Sequence, residues 1–219
     1  MENKSLLVIV GAGLGVSAGV ARKFGTNGFK VILISRKQES LDLQIAELQK
    51  KNIEAHGIIA DASVPESIIS AFNQINSTYG NPDVLIYNAG ANSINNPSVL
   101  TQNELLNDFK ANVAGALISA QQVIPQMMER KKGTILFTGG MLALNPVPSR
   151  ASASISKAGL RNLTFTLADE LSPFGIHVAT VTIGGVVKAG TFFDPDLIAE
   201  AYWNLYIKKD QKEILYKPA

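Results

Sequence analysis

Lys157 lies among small side chains, with Ser152, Ser154 and Ser156 close before it and Thr138 and Arg150 further upstream. A lysine in such a setting can give or take a proton, directly or through water, if burial or a neighbouring positive charge depresses its pKa. The serines can orient a carbonyl more readily than protonate an alkoxide. They also read as a small-residue helix face packed against a partner element, and that reading outweighs catalysis. A second chemistry is announced near the start of the chain, where Gly11-Ala12-Gly13-Leu14-Gly15 leads into Val16 directly after an apolar run. Glycines there let backbone approach a pyrophosphate, and the helix that follows offers its N-terminus to the negative charge. A third group is Ser35, Arg36 and Lys37, which follows the next apolar run. A carboxylate at that place would hydrogen-bond the ribose 2′-hydroxyl of NAD(H), whereas two cations attract a 2′-phosphate, so NADP(H) is favoured over NAD(H). The alternative is that Arg36 and Lys37 only open a solvent-facing helix.

These groups must be positioned by the elements between them. Short β-branched apolar runs at 6–10, 31–34, 55–60, 84–87, 134–137 and 177–181 alternate with helical patterns at about 15–28, 38–51, 64–79, 101–131 and 151–172. The alternation predicts an α/β fold, a Rossmann-type doubly wound parallel sheet with helices on both faces, in one domain over residues 1–219. A short amphipathic helix at 195–209 and a brief strand at 213–216 bring the sheet to about seven strands. Ser63 with Glu66 predicts a capping box at the start of the third helix. Pro125 predicts that 101–131 is two helices or a bent one. Tyr202, Trp203 and Tyr206 are expected to be packing residues or, if the tail forms a lid, to approach a substrate.

Composition narrows the function classes. Apolar residues make up 46% of the 219 residues and charged ones 17%, the balance expected of strands buried on both faces. The net charge is only +2, and Arg130-Lys131-Lys132 is the one tight basic run. It reads as a solvated helix end, so nucleic acid is not an expected partner. No stretch approaches a membrane span, and the apolar run at 6–10 is too short for a secretory signal. The chain has no cysteine, which excludes disulfides and thiolate chemistry and is compatible with a reducing compartment, the cytoplasm being the simplest assignment. No metal-ligating constellation stands out, and His56 and His177, at strand starts, read as structural.

Several separated segments, in order across nearly the whole chain, resemble the short-chain dehydrogenase/reductase family. Gly11 and Gly15 fill two glycine positions of its T-G-x-x-x-G-x-G motif, with Val10 in place of the threonine and the small Ser17 in place of the last glycine. Asp61 resembles the aspartate that contacts adenine, with Ala62 beside it, and Asn88-Ala89-Gly90 matches the element that borders the adenosine ribose. Asn112 fits the helix asparagine that helps position the lysine through water. Gly184 and Val186 fit the register of P-G-x-V-x-T, which contacts the nicotinamide amide and pyrophosphate; Ile183 takes the proline position and Lys188 the threonine position. Lys188 pairing with the pyrophosphate, or Thr191 replacing the lost hydroxyl, are both open.

The resemblance implies catalysis by a tyrosine four residues before the lysine and a serine thirteen before the tyrosine. Those positions hold Ala153 and Gly140. Asn112 and Lys157 remain from the catalytic set, which implies an oxidoreductase acting on a carbonyl or alcohol of unknown identity with a rearranged site. The alternatives are a catalytically inactive NADP-binding sensor or partner module and, less favoured, a scaffold that no longer binds nucleotide. Losing a positioned acid forfeits roughly 10²–10⁴ in rate. By the same resemblance, the helices at 101–131 and 151–172 are expected to form a homodimer or homotetramer interface.

Overall fold

The computed structural model describes residues 4–218. Its strands are β1 (Leu6–Val10), β2 (Lys30–Ser35), β3 (Ala55–Ile59), β4 (Val84–Tyr87), β5 (Gly133–Gly140), β6 (Ile176–Ile183) and β7 (Glu213–Tyr216). The helices between them are α1 (Val16–Thr26), α2 (Gln38–Gln49), α3 (Pro65–Thr78), α4 (Gln102–Phe109), α5 (Gly115–Arg130), α6 (Ala151–Leu171) and α7 (Pro195–Lys208). All seven strands are parallel, in the order β3-β2-β1-β4-β5-β6-β7.

Strand residues alternate between two cores, so each apolar run must be apolar throughout. Val8, Val10, Ile32, Leu85, Tyr87 and Phe137 pack beneath α3, α5 and α6, while Leu7, Ile9, Leu33, Ile86, Leu136 and Val181 pack beneath α1, α2 and α7. The chain order reverses between β1 and β4. Their connections leave in opposite directions, which opens a crevice at the carboxyl ends of the strands, the usual ligand site of such sheets. Gly11 and Asn88 stand there.

One local expectation is corrected outright and two others take a definite form. Ser63 and Glu66 form no capping box: Pro65 opens α3 with Val64 as N-cap, and the Ser63 hydroxyl donates instead to Asp61 at 2.7 Å. The capping box of this chain joins Thr101 and Glu104 at the start of α4. The long helical segment is two helices, as expected, but Pro125 is not what divides them: it sits inside α5, and a π turn over Lys110–Ala114 separates α4 from α5. The tail aromatics are packing residues, the first of the two expected roles, and form no lid. Tyr202 is fully buried, and Tyr206 packs edge-on to Phe29 and close to Phe24. At Gly19 a Cβ would come within 2.2 Å of the Pro195 carbonyl oxygen, so α7 lies directly on α1. No helix among the described residues is long and apolar enough to cross a membrane.

Candidate active site and dinucleotide cleft

The first cavity, about 230 Å³, opens at the crevice between β1 and β4. Gly11, Ala12, Ser35, Arg36, Asp61, Ala62 and the loop from Asn88 to Ala91 line it. Gly11 has φ +86, and a Cβ there would lie 2.2 Å from the Ala89 nitrogen, so only glycine fits. The N–H groups of Gly11 and Ala12 both donate to the Ile34 carbonyl at 2.9 Å, and the Asn88 amide donates to the Gly11 carbonyl at 2.9 Å. The loop is therefore fixed from both neighbouring strands. Ser17 continues this: Gly13 N–H donates to its hydroxyl at 2.8 Å, and that hydroxyl donates back to the Gly13 carbonyl. A Cβ at Gly13 would meet nothing within 4 Å, so the loop faces open space there.

Not every residue singled out from the sequence faces this cavity. Leu14 borders a separate groove between α1 and α2, with its side chain largely exposed, and Lys37 is the exposed N-cap of α2. Arg36 does line the cavity, without a hydrogen-bond or ion-pair partner among the described residues. Asp61 accepts from the Ser63 backbone and hydroxyl, and these bonds, with Arg36 nearby, hold its carboxyl below the usual range.

Asn112 sits in the π turn, a distortion that recurs at functional sites. Its side chain accepts from Ala91 N–H and donates to the Ala91 carbonyl, both at 2.8 Å, and so clamps the loop after β4. The Tyr87 hydroxyl donates to the Ala111 carbonyl inside the same turn. Gly115 brings the turn close to the first cavity, since a Cβ there would sit 2.2 Å from the Ala62 carbonyl oxygen.

The second cavity, about 580 Å³, lies over the carboxyl ends of β5 and β6. Val16 lines it, as do Gly140, Met141, Leu142, Val147, Arg150, Lys157 and the segment Ile183–Val187. The loop from Gly11 to Val16 thus runs from one cavity to the other. Lys157 donates to the Thr138 carbonyl at 2.7 Å, and burial brings its ammonium from 10.5 down to about 8. The residue keeps part of its surface open to solvent and lines the cavity, while its ammonium, at the tip of the side chain, is buried against the Thr138 carbonyl. Ala153 lies buried one helical turn before it, and a Cβ at Gly140 would stand 3.6 Å from the Lys157 stem.

The hydroxyls near Lys157 are committed elsewhere or enclosed. Thr138 shares a hydrogen bond of 2.7 Å with the hydroxyl of buried Tyr202. Ser152 donates to Asp108 at 2.6 Å, and Ser154 to the Arg150 carbonyl at 2.9 Å. Ser156 is fully buried without a partner. Lys188 and Thr191 line neither cavity; the Thr191 hydroxyl donates to the Lys188 carbonyl and shapes a turn. Val186 stands at the rim, 83% exposed. Met141, Leu142, Asn145 and Val147 carry no sequence signal for a site, because they are ordinary loop residues that β5 and α6 bring to the opening.

The chain matches the short chain dehydrogenase family over residues 5–192. It belongs to that family. It is 29% identical over 182 residues to the mitochondrial dehydrogenase/reductase SDR family member 2 of Homo sapiens, covering 83% of this chain and 64% of the relative. The chain therefore spans about two thirds of the length of such curated relatives. Among solved structures, a metagenomic short-chain oxidoreductase in complex with NADP superposes with a TM-score of 0.89 at 27% identity, over 98% of this chain and 97% of that one. A variant of actinorhodin polyketide ketoreductase with NADPH gives 0.88 at 25% identity, over 94% and 91%. The seven-stranded parallel sheet is thus the sheet of this family.

Proposed function

We propose that this short-chain dehydrogenase family member is an NADP(H)-dependent oxidoreductase for a carbonyl or alcohol substrate, in which Lys157 handles the substrate proton. The observation that carries the reading is Lys157 itself: its side chain lines the larger cavity and its ammonium is depressed by burial, while the neighbouring hydroxyls are bonded elsewhere or enclosed. Gly140 and Ala153 stand at the positions that the family's serine and tyrosine hold, so neither supplies a proton or a carbonyl donor.

The crevice suits a dinucleotide. Gly13 leaves room beside the backbone, α1 offers its N-terminus, and Arg36 brings an unpaired guanidinium suited to a 2′-phosphate. Relatives in fold solved with NADP and NADPH support the same choice. In this reading Gly11, Gly13, Gly15, Val16, Ser35, Arg36, Asp61, Ala62, Asn88, Ala89, Gly90, Lys157, Gly184 and Val186 hold the cofactor, and Asn112 keeps the Ala91 loop in place. When bound, the nicotinamide exchanges a hydride with the substrate carbon.

The chain's own part is the proton. In reduction the Lys157 ammonium donates to the developing alkoxide and recovers a proton from solvent; in oxidation the neutral amine accepts. With an ammonium near 8, the donor form predominates at pH 7, and reduction declines as pH rises through 8 while oxidation gains.

A second reading, a nucleotide-binding module without turnover, is favoured by the Lys157 to Thr138 bond, which turns the ammonium toward backbone. Calorimetric titration with NADPH and NADH separates the readings, followed by turnover on a carbonyl panel. We expect NADPH to bind more tightly, Arg36→Ala to weaken it about 10–100-fold, and Lys157→Met to abolish turnover while NADPH binding is weakened but retained. Binding without turnover supports the second reading, and no binding of either nucleotide leaves only a scaffold.

Leu106, Phe109, Leu117 and Ile155 expose apolar surface on α4, α5 and α6, and we assign this face to a homodimer or homotetramer interface; light scattering showing only monomer overturns that. A cysteine-free chain suits the reducing cytoplasm, the compartment we assign.

A further inference from the structure

The chain has five arginines, and three are tied down. Arg22 donates to Asp196 at 2.6 Å, Arg130 to the Pro82 carbonyl at 2.8 Å, and Arg161 forks onto Glu213 at 2.7–3.1 Å. Arg36 and Arg150 alone have no side-chain partner among the described residues, and each lines one of the two cavities. An arginine held in place by its backbone but left with a free fork is a recognition group in waiting. Arg150 meets that description: its N–H donates to the Val147 carbonyl at 2.9 Å, and its own carbonyl accepts from Ser154 at 2.9 Å.

The surroundings define what Arg150 would take. Val16, Met141, Leu142, Val147, Ile183 and Val187 make the cavity wall apolar, and no carboxylate lines it. Its only ionisable lining side chains, Arg150 and Lys157, are both basic. An excess of positive charge beside apolar walls attracts anions, and Arg150, itself solvent-exposed, offers its fork to one that enters from the open side. A single planar guanidinium matches a single carboxylate through two parallel bonds.

We propose that Arg150 is a specificity-determining residue and that the substrate is an oxo acid, or the corresponding hydroxy acid, with an apolar body. The carboxylate sits on the Arg150 fork and the body against the aliphatic wall. This rests on the proposed function for the role of the cavity, and adds the class of substrate.

The test is calorimetric titration, with and without NADPH, of two acid and ester pairs: benzoylformate and 3-benzoylpropionate, each against its methyl ester. We expect at least one acid to bind tenfold or more tightly than its ester, and Arg150→Gln to bring that pair within threefold, with its unfolding midpoint as the control for folding. Equal binding of acid and ester in both pairs, no binding of either acid, or a preference that survives Arg150→Gln overturns the inference. Failure of NADPH to bind while the acid preference stands refutes the proposed function and leaves the carboxylate site, so the two ideas fail separately.

Discussion

Replacing Lys157 by methionine should make the protein more stable at neutral pH, even as it removes the group assigned to proton transfer. Burial lowers the ammonium from 10.5 to about 8, a difference that corresponds to about 3 kcal/mol against the charged form. Losing the bond to the Thr138 carbonyl returns about 1 kcal/mol, and the partial exposure of the residue reduces the gain further. We therefore expect about 1–2 kcal/mol of stabilisation at pH 7. The sign follows from proton uptake. Between pH 8 and 10.5 the unfolded lysine is protonated and the folded one is not, so wild-type stability rises with pH across that window and is lowest below it. Lys157→Met lacks this rise, so its advantage shrinks across that window and above pH 10.5 the wild type is the more stable by about 1 kcal/mol, the contribution of the Thr138 bond. Urea unfolding at pH 7, 8, 9 and 10 measures both. A variant no more stable than wild type at pH 7, or a difference independent of pH from 7 to 10, would refute the burial argument and with it the basis for Lys157 as an acid near neutrality.

Two further substitutions probe how the site is framed. Gly19→Ala places a methyl group 2.2 Å from the Pro195 carbonyl oxygen, and α7 must move off α1; a loss of about 1–3 kcal/mol is expected from thermal unfolding, and an unchanged midpoint would mean that the helices separate freely. Glu213→Ala leaves the Arg161 fork and the Thr182 hydroxyl without their acceptor and should cost about 2–3 kcal/mol at pH 7. Because the Glu213 carboxyl is held below its ordinary 4.5, that difference is fully present above pH 4.5 and disappears as the pH falls through the lowered value, which acid-side denaturation curves of both proteins would reveal.

Much of the architecture was legible because it follows from local pattern. An apolar run such as Leu7-Val8-Ile9 alternates between two cores, so a strand covered on both faces announces itself without any partner in view. Gly11 was legible for the same reason, since a glycine between strand and helix marks a backbone approach. Local signals that competed were not. Ser63 and Thr101 each begin a pattern suited to a capping box, yet only Thr101 forms one. At Ser63, Pro65 moves the helix start by one residue and the Asp61 carboxylate claims the hydroxyl. The π turn had no marker either, and the role of Gly115, which allows it to approach Ala62, appears only in the fold.

The sequence by itself determined the parallel sheet, the glycine loop at its first turn and the i,i+4 register that sets Ala153 against Lys157, because all of these depend on residues adjacent in the chain or on one helix. Tertiary structure alone decided which side chains reach a cavity. Thr138 and Lys157 both stand out in the sequence, but the strand turns the threonine hydroxyl to Tyr202 on the opposite face while its carbonyl receives the lysine. Gly19 meets Pro195, and Arg161 meets Glu213, across separations that no local pattern encodes. The reason is physical: a side chain's direction is set by its own backbone, but its partner and its exposure are set by the elements that fold over it.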